Sequence, residues 1–287
     1  MGSEQRERGR SPRNKRDRGA MGGPLTVQVS HDGGVLRLHL DKPKKRNALD
    51  DDMVAVLIDE VDAAGRDESV RSILLTAEGE HFCSGFDIVG RNATDGRQRP
   101  RIGAIQRRLP AEAHRLIPVL CTTQVPIVVA ARGWIAGIGL HVLAASDFAV
   151  VADDARVWEP FSQRGFTPDS GGTWLLPRLI GMQRARELLL LGTTIDGRTA
   201  VEWGLAHSVM AAAEVDDAAR ELATRLAAGP TVSLGLTKWL LHTSAEHTLE
   251  QHLRDEAFGM ELSSRSEDFR EGLNAFLEKR DPGFTGR

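Results

Sequence analysis

Short apolar runs alternate with glycine-containing loops along the first half of the chain. Leu25–Ser30 and Gly34–Leu40 flank His-Asp-Gly-Gly, a spacing that predicts a β-hairpin. Three later runs are largely apolar, which predicts strands buried on both faces: Ser72–Thr76, Pro126–Ala131 and Asp147–Ala152. Helical spacing begins at Asp50 and again at Leu140. This alternation indicates an α/β core with parallel strands.

Helical spacing dominates the rest of the chain. One helix is predicted from about Ile102 to Leu120, and helices follow one another beyond Gly171. The segments predicted after Gly171 are Trp174–Ile180, Ala185–Leu191, Ala200–Trp203, Val215–Ala228, Leu234–Leu241, Leu249–Ser263 and Glu267–Glu278. Because their apolar faces cannot all be covered within this third of the chain, we expect the protein to self-associate.

The composition divides the chain into regions. Residues 1–20 carry seven Arg or Lys, three Asp or Glu and almost no apolar side chains, which predicts a disordered basic tail. Residues 21–210 are predicted to form the α/β core, and residues 211–287 a C-terminal helical oligomerisation region. Within the core, residues 90–101 are rich in Arg, Gly and Asn and are predicted to form a mobile loop.

Charge and cysteine usage narrow the function classes. The formal net charge is −3, so neither nucleic acid nor an anionic membrane is an expected partner. No apolar run reaches the ~18–20 residues of a membrane span. The two cysteines, Cys83 and Cys121, have neither metal-ligand nor disulfide spacing. We therefore expect no metal and predict a reducing, cytoplasmic location.

Two glycine-containing loops follow predicted strands: Phe82-Cys-Ser-Gly-Phe-Asp87 and Trp134-Ile-Ala-Gly-Ile-Gly-Leu-His141. Glycine lets the backbone approach a ligand closely, and the second loop opens a helix, where free N–H groups favour an oxyanion. One N–H from each loop, aimed at the same carbonyl oxygen, would stabilise an enolate or a tetrahedral oxyanion. A tight turn is the alternative for either loop. The GxGxxG pattern of dinucleotide sites is absent, so no nicotinamide or flavin is expected.

Six motifs occur in order along roughly residues 24–283. They are Lys45-Arg-Asn-Ala-Leu49, His81-Phe-Cys-Ser-Gly-Phe-Asp87, Trp134-Ile-Ala-Gly-Ile-Gly139, Thr167-Pro-Asp-Ser-Gly-Gly-Thr173, Glu202-Trp-Gly-Leu205 and Ala275-Phe-Leu-Glu-Lys-Arg280. Together they resemble the crotonase (enoyl-CoA hydratase/isomerase) family. The resemblance implies an α/β spiral of ββα units with a C-terminal helical trimerisation region, assembled as a trimer or a dimer of trimers. It also implies an acyl-CoA thioester as substrate, with no resident cofactor.

The same resemblance implies roles for individual residues. The backbone N–H groups of Ser84 and Ile138 would form the oxyanion hole. The implied CoA contacts are Lys45, Arg46, Phe82, Phe86, Asp87, Phe276 and Lys279. A solvated surface charge is the alternative for the three basic residues in that set. An aromatic acyl pocket is predicted from Trp134, Trp158, Phe161 and Trp174, each of which is also a candidate core residue.

The chain departs from the family at two positions. Hydratases of the family resemble one another in using two glutamates, and the corresponding positions here hold His141 and Phe161. Asp169 remains, in a motif that resembles the phenylacetate-pathway ring-epoxide isomerases and the Δ3,Δ2-enoyl-CoA isomerases. We therefore predict isomerisation of a double bond or a ring, with Asp169 as acid and base. Capping of the following helix is the alternative for Asp169.

His141 is a second candidate acid or base, against the alternative of a packed core side chain. Other reactions remain open. Hydration would use His141 or a water held by Asp169, and hydrolysis or displacement would use Asp169 or a water as nucleophile. The missing glutamates and the basic tail also leave open a non-catalytic relative that binds acyl-CoA or RNA.

Overall fold

The computed structural model describes residues 26–88, 101–111 and 113–287. The predicted tail of residues 1–20 lies outside these ranges, as does the predicted mobile loop apart from Arg101. Within the described ranges, no helix is both long enough and apolar enough to cross a membrane.

The described residues form two sheets. In chain order their strands are β1 (Val27–Asp32), β2 (Val35–Leu40), β3 (Ser72–Ala77), β4 (Ile127–Ala131), β5 (Trp134–Ala136), β6 (Phe148–Ala152), β7 (Arg156–Trp158) and β8 (Ser208–Met210). The large sheet has the order β1-β2-β3-β4-β6-β8, with β1 antiparallel to β2 and every other neighbouring pair parallel. The small sheet pairs β5 with β7 in parallel.

Helices flank the sheets and fill the C-terminal third. They are α1 (Asp51–Ala64), α2 (Ala104–Arg108), α3 (Leu116–Thr122), α4 (Ile138–Ala144), α5 (Phe161–Arg164), α6 (Gly172–Arg186), α7 (Gly197–Glu202), α8 (Val215–Ala227), α9 (Thr231–Thr243), α10 (Leu249–Ser263) and α11 (Glu267–Glu278). Helix α6 is kinked at Gly181, whose φ of 78° is not helical, and it continues into a π-helical turn at Glu187–Leu191.

The elements predicted from long periodic segments are present. Asp50 caps α1, since its side chain accepts a hydrogen bond from the N–H of Met53 at 2.9 Å. All six residues of β3 are buried, as its continuous apolar run predicted. The single helix predicted from Ile102 to Leu120 is wrong, because α2 and α3 are separated by the short 3₁₀ turns Leu109–Ala111 and Ala113–Arg115. Pro110 lies in the first of these turns, and it has no N–H to continue a helix.

The core lies between the large sheet and the helices packed on it. Helix α8 packs against β3, β4 and β6 and buries Val215, Ala219 and Ala223. The boundary predicted after residue 210 therefore does not separate this helix from the sheet. Helices α10 and α11 differ, since large apolar side chains on both are exposed: Leu249, Leu253, Phe258, Met260, Leu262, Phe269, Leu273, Phe276 and Leu277.

Candidate functional site

The two predicted glycine loops lie side by side. Cys83 pairs with Ile135 of β5 as an isolated parallel bridge, and the N–H of Ala136 donates to the carbonyl of Cys83 at 2.9 Å. Gly139 then packs directly on Cys83, because a Cβ at position 139 would overlap the Cβ of Cys83. The fold thus brings together the two backbone segments that were predicted to share one ligand oxygen.

Gly137 makes the turn from β5 into α4. Its φ of 52° and ψ of −124° form a conformation that disfavours any residue with a Cβ. Ile138 is the first residue of α4, and the N–H groups in the first turn of a helix have no acceptor within that helix. The N–H of Ile138 is therefore suited to an oxygen ligand, as predicted.

The N–H of Ser84 does not have this freedom. It donates to the carbonyl oxygen of Arg46 at 3.0 Å, which corrects the prediction of Ser84 as an oxyanion donor. The neighbouring peptide between Gly85 and Phe86 lies against the second loop. A Cβ placed on Gly137 would lie 3.8 Å from the Cα of Gly85.

A cleft of about 670 Å³ opens beside Ser84. Of the predicted CoA contacts, Lys45, Phe86 and Asp87 line it, together with Ala48, Ile88, Arg164 and Phe166. The ammonium of Lys45 lies 2.7 Å from a carboxylate oxygen of Asp87. This contact holds a cation at the wall of the cleft.

Lys42 extends this pair into a chain of alternating charges. Its ammonium lies 2.7 Å from Asp50 and 3.1 Å from Asp87. Burial acts to lower the pKa of Lys42, but the hydrogen bonds to the two carboxylates outweigh it, so the pKa is raised.

Arg46 faces a different cavity from its neighbour Lys45. Arg46 has a left-handed backbone with φ of 51°, and it lines a second cavity of about 710 Å³ with His81, Arg132 and Arg156. Trp134 lines that cavity too, with the guanidinium of Arg156 5.4 Å from its ring centre. Arg46 and Trp134 thus line a different cavity from Lys45 and Phe86, and their roles at CoA and at the acyl group stay predictions.

Several other predicted contacts also lie elsewhere. Phe82 is a fully buried core residue, and Trp174 packs against His242 under the guanidinium of Arg178. The prediction for Phe82 is corrected, because a fully buried ring cannot contact a ligand, whereas Trp174 as an acyl-pocket residue stays a prediction. Phe276 and Lys279 are exposed on and just after α11 and line neither cavity.

Phe161 and Trp158 lie closer to the loops. The ring of Phe161 lies 3.7 Å from the Cβ position of Gly137 and meets Phe166 edge-on at 5.3 Å. The carbonyl of Trp158 accepts the N–H of Gly137 at 3.1 Å.

His141 lies one turn beyond Ile138 and is completely buried. Its Nδ1 is 2.6 Å from Ser170 Oγ, and its Nε2 is 2.8 Å from Glu159 Oε1. Phe161 stacks on the imidazole with ring centres 5.9 Å apart. With both nitrogens engaged and no solvent access, the direct acid or base role predicted for His141 is not supported. Its alternative as a packed side chain describes the structure.

Glu159 and Ser170 were not among the predicted site residues. Little in the sequence identified Glu159, because it follows β7, a strand of three residues that is too short to show a period. Glu159 is 0% exposed, and its Oε2 has no hydrogen-bond partner among the described residues. Ser170 directly follows Asp169, and nothing local to its motif identified the imidazole as its partner.

Asp169 presents an accessible carboxylate. The N-cap of α6 is Gly171, with no side-chain capping hydrogen bond, so the capping alternative for Asp169 is wrong. The Asp169 side chain is exposed and makes no hydrogen bond or ion pair within the described part of the chain. Its neighbour Ser170 is anchored to α4 through His141, which ties this segment to the helix that begins at Ile138.

Comparisons with known proteins agree with this arrangement. Residues 30–287 match the family model described as enoyl-CoA hydratase/isomerase. The chain is 37% identical over 260 residues to 1,2-epoxyphenylacetyl-CoA isomerase of Escherichia coli (strain K12), covering 90% of this chain and 98% of that protein. It is 31% identical to 2,3-dehydroadipyl-CoA hydratase of the same strain, covering 90% and 98%. The crystal structure of an enoyl-CoA hydratase from Polaromonas sp. JS666 matches with a TM-score of 0.83 and 30% identity, covering 90% of this chain and 99% of the other.

Proposed function

Because the chain belongs to the enoyl-CoA hydratase/isomerase family and has the predicted crotonase-like α/β fold, we propose that it isomerises a double bond or a ring in an acyl-CoA thioester. The thioester oxygen accepts hydrogen bonds from the N–H of Ile138 and from the N–H of the Gly85–Phe86 peptide. Asp169 removes a proton from one carbon and returns it to another while these donors hold the enolate.

The observation that supports this reaction most directly is the exposed carboxylate of Asp169, which has no hydrogen-bond or ion-pair partner among the described residues and lies in a loop anchored through Ser170. The two positions at which hydratases of the family resemble one another in carrying glutamates hold a buried, engaged imidazole and an apolar ring, at His141 and Phe161. A single carboxylate suffices to move a proton between two carbons. Hydration also needs groups that hold and activate a water molecule, and here one carboxylate would have to perform both tasks.

We place further substrate contacts in the cleft beside Ser84, which Asp169 and Ile138 do not themselves line. Phe86 and Phe166 line it with aromatic surface, and Phe161 lies against Gly137, which suits an unsaturated or aromatic acyl group. Lys45 at its wall is the proposed contact for a CoA phosphate, since an ammonium recognises phosphate as a point charge. The proposed reaction requires protons and a polarised carbonyl and no resident cofactor.

We also propose self-association as a trimer or a dimer of trimers through α10 and α11. The support is their set of exposed apolar side chains, which includes Phe258 and Leu273. Sedimentation equilibrium of the wild type and of Phe258→Glu tests this. The wild type should sediment as three or six chains, and the variant as smaller species. A monomeric wild type would contradict the proposal.

The function is tested by mass-resolved turnover of an acyl-CoA panel: trans-2-enoyl, trans-3-enoyl, aromatic epoxide and 3-hydroxyacyl thioesters. Isomerisation without a change in mass, lost in Asp169→Asn, is the expected result. The loss should be about 10²–10⁴-fold, the usual contribution of a general base. Asp281→Asn serves as a control, because Asp281 is an exposed aspartate that follows α11 and does not belong to the loop anchored to α4.

Other outcomes lead to other functions. Addition of one water to an intact thioester would make the protein a hydratase. Release of free CoA would indicate hydrolysis. CoA esters that bind without turnover in either protein would favour a non-catalytic relative and overturn the isomerase proposal for this panel.

A further inference from the structure

A line of three polar side chains runs through the interior beneath the proposed site. Ser170 Oγ lies 2.6 Å from Nδ1 of His141, and Nε2 of His141 lies 2.8 Å from Oε1 of Glu159. The residues are 4%, 0% and 0% exposed, so solvent does not compete with these contacts. Hydrogen bonds in such surroundings fix geometry more firmly than surface contacts do.

These three side chains join three separate segments of the chain. His141 belongs to α4, whose first residue is Ile138, and Glu159 directly follows β7. Ser170 belongs to the loop that carries Asp169. The line therefore links the helix of the proposed oxyanion donor to the loop of the proposed acid.

The imidazole of His141 is packed against Phe161 and Gly172. Phe161 stacks on it with an angle of 5° between the ring planes. Gly172, in the first turn of α6, lies against its edge, because a Cβ at that position would overlap the ring. These contacts hold the ring in one orientation, so its two nitrogens keep Glu159 and Ser170 in fixed positions relative to each other.

Stability alone does not account for this arrangement. Glu159 is fully buried, and its Oε2 has no hydrogen-bond partner among the described residues. A buried polar atom without a partner destabilises the folded state, and such costs concentrate at functional sites. The burial of Ser170 also argues against a nucleophilic role for its hydroxyl, since a nucleophile must reach the thioester.

We propose that Ser170, His141 and Glu159 are positioning residues that hold the Asp169 carboxylate at a fixed distance from the N–H of Ile138. This inference rests on the proposed function of Asp169. The three side chains do not touch the substrate. Their contribution lies in the distance between acid and oxyanion donor, and a misplacement of about 1 Å can cost about 100-fold in rate.

Three variants test the proposal. Ser170→Ala removes the link to the loop, whereas Glu159→Gln keeps an oxygen that accepts from His141. Ser72→Ala is the matched control, because Ser72 in β3 is equally buried and its substitution also removes one hydrogen bond, to the carbonyl of Ala223 in α8 at 2.8 Å. Each is assayed for kcat, for KM, for its dissociation constant with acetyl-CoA and for its melting temperature.

Ser170→Ala should lower kcat by about 10- to 100-fold while the acetyl-CoA dissociation constant changes less than about twofold. Its melting temperature should fall no further than that of Ser72→Ala, which should keep full kcat. Glu159→Gln should retain kcat within about threefold. In an Asp169→Asn background, Ser170→Ala should cause no further loss, because a misplaced acid matters only when the acid is present.

The proposal is overturned if Ser170→Ala keeps the kcat of Ser72→Ala, if it weakens binding as much as turnover, or if it lowers rates equally without Asp169. An equal loss in Glu159→Gln would also contradict positioning by hydrogen bonds. If Ser170→Ala does not fold, Ser170→Cys is measured instead, since a thiol keeps the size but bonds weakly. Full activity of Asp169→Asn would instead sink the proposed function itself, so the two failures are distinguishable.

Discussion

The N–H of Ser84 donates to the carbonyl oxygen of Arg46 at 3.0 Å and fastens the loop between β2 and α1 to the first glycine loop. The contact continues as a short ladder, because Leu49 donates to Gly85 at 2.9 Å and Asp87 donates to Leu49 at 2.8 Å. The lysine at the wall of the cleft and the peptide proposed to bind the thioester oxygen are thus parts of one rigid unit.

Gly137→Ala should abolish most turnover. A Cβ at φ 52° and ψ −124° forces the turn to shift, which moves the N–H of Ile138. The loss of one oxyanion donor lowers kcat by roughly 10²–10³-fold. Gly33→Ala in the β1–β2 turn is the control, since its φ is 54° and a Cβ there meets nothing within 4 Å. Both variants should lose about 1–3 kcal/mol in urea unfolding. Equal kcat in the two would contradict the prediction.

Lys45→Met should raise KM for a CoA thioester about 3- to 10-fold with little change in kcat, because a remote phosphate contact stabilises substrate and transition state equally. Steady-state kinetics at 50 and 300 mM salt provide the measurement, and the difference from wild type should shrink at high salt. Lys44→Met is the control, since Lys44 lies in the same short turn and lines neither cavity. An equal rise in KM in the two variants would mean that the overall positive charge of the loop, and not a specific contact of Lys45, affects CoA binding.

Removing the carboxylate of Glu271 should destabilise the protein at neutral pH and not in acid. Two hydrogen bonds from Arg280, at 2.6 and 2.9 Å, and one from the N–H of Gly283 lower the pKa of Glu271 to about 2. Because the folded-state pKa lies below the ordinary value of 4.5, the stabilisation is present above pH 4.5 and is lost as pH falls towards 2.

Urea unfolding of Glu271→Gln and wild type at pH 7, 4 and 3 tests this. The gap in the free energy of unfolding between the two proteins should be largest at pH 7, smaller at pH 4 and smallest at pH 3. Glu221→Gln should show no such gap, since Glu221 is exposed and makes no hydrogen bond within the described residues. A gap that is independent of pH would show that the carboxylate charge is not the cause.

Neither cysteine should react with thiol reagents in the folded protein. Burial raises the pKa of both Cys83 and Cys121 to about 11, so almost no thiolate exists at pH 8. Titration with Ellman's reagent at pH 8 should detect no thiols within minutes, and two in 6 M guanidinium. Rapid labelling of Cys83 in the native protein would contradict its packing under Gly139.

The sequence predicted long elements well because their periodicity spans several turns. Helices α10 and α11 begin and end where the pattern placed them, and α1 begins directly after Asp50, where the helical spacing was predicted to begin. Strands β5, β7 and β8 were missed because three residues are too few to show a period, so Trp134–Ala136 was interpreted as part of a loop.

The candidate site was predictable only as far as its contacts are local. Gly137 and Ile138 were identified because a glycine before a helix start determines both backbone shape and free N–H groups. Ser84 was misassigned because its acceptor, Arg46, lies far away along the chain. The burial of His141 depends on Glu159 and Ser170, which only the folded chain brings into contact.

The packing of Gly139 on Cys83 has an evolutionary consequence. Because a side chain at position 139 would occupy the space of the Cys83 Cβ, the two positions are not free to drift separately. A larger residue at 139 requires both a glycine at 83 and a small shift of the residue 83 carbonyl, whose oxygen lies 3.0 Å from the same Cβ position, and the order of the two changes matters, since the intermediate with both side chains does not fit. Divergence of this loop is therefore epistatic, and lineages that enlarge position 139 should pass through a smaller residue at position 83 first.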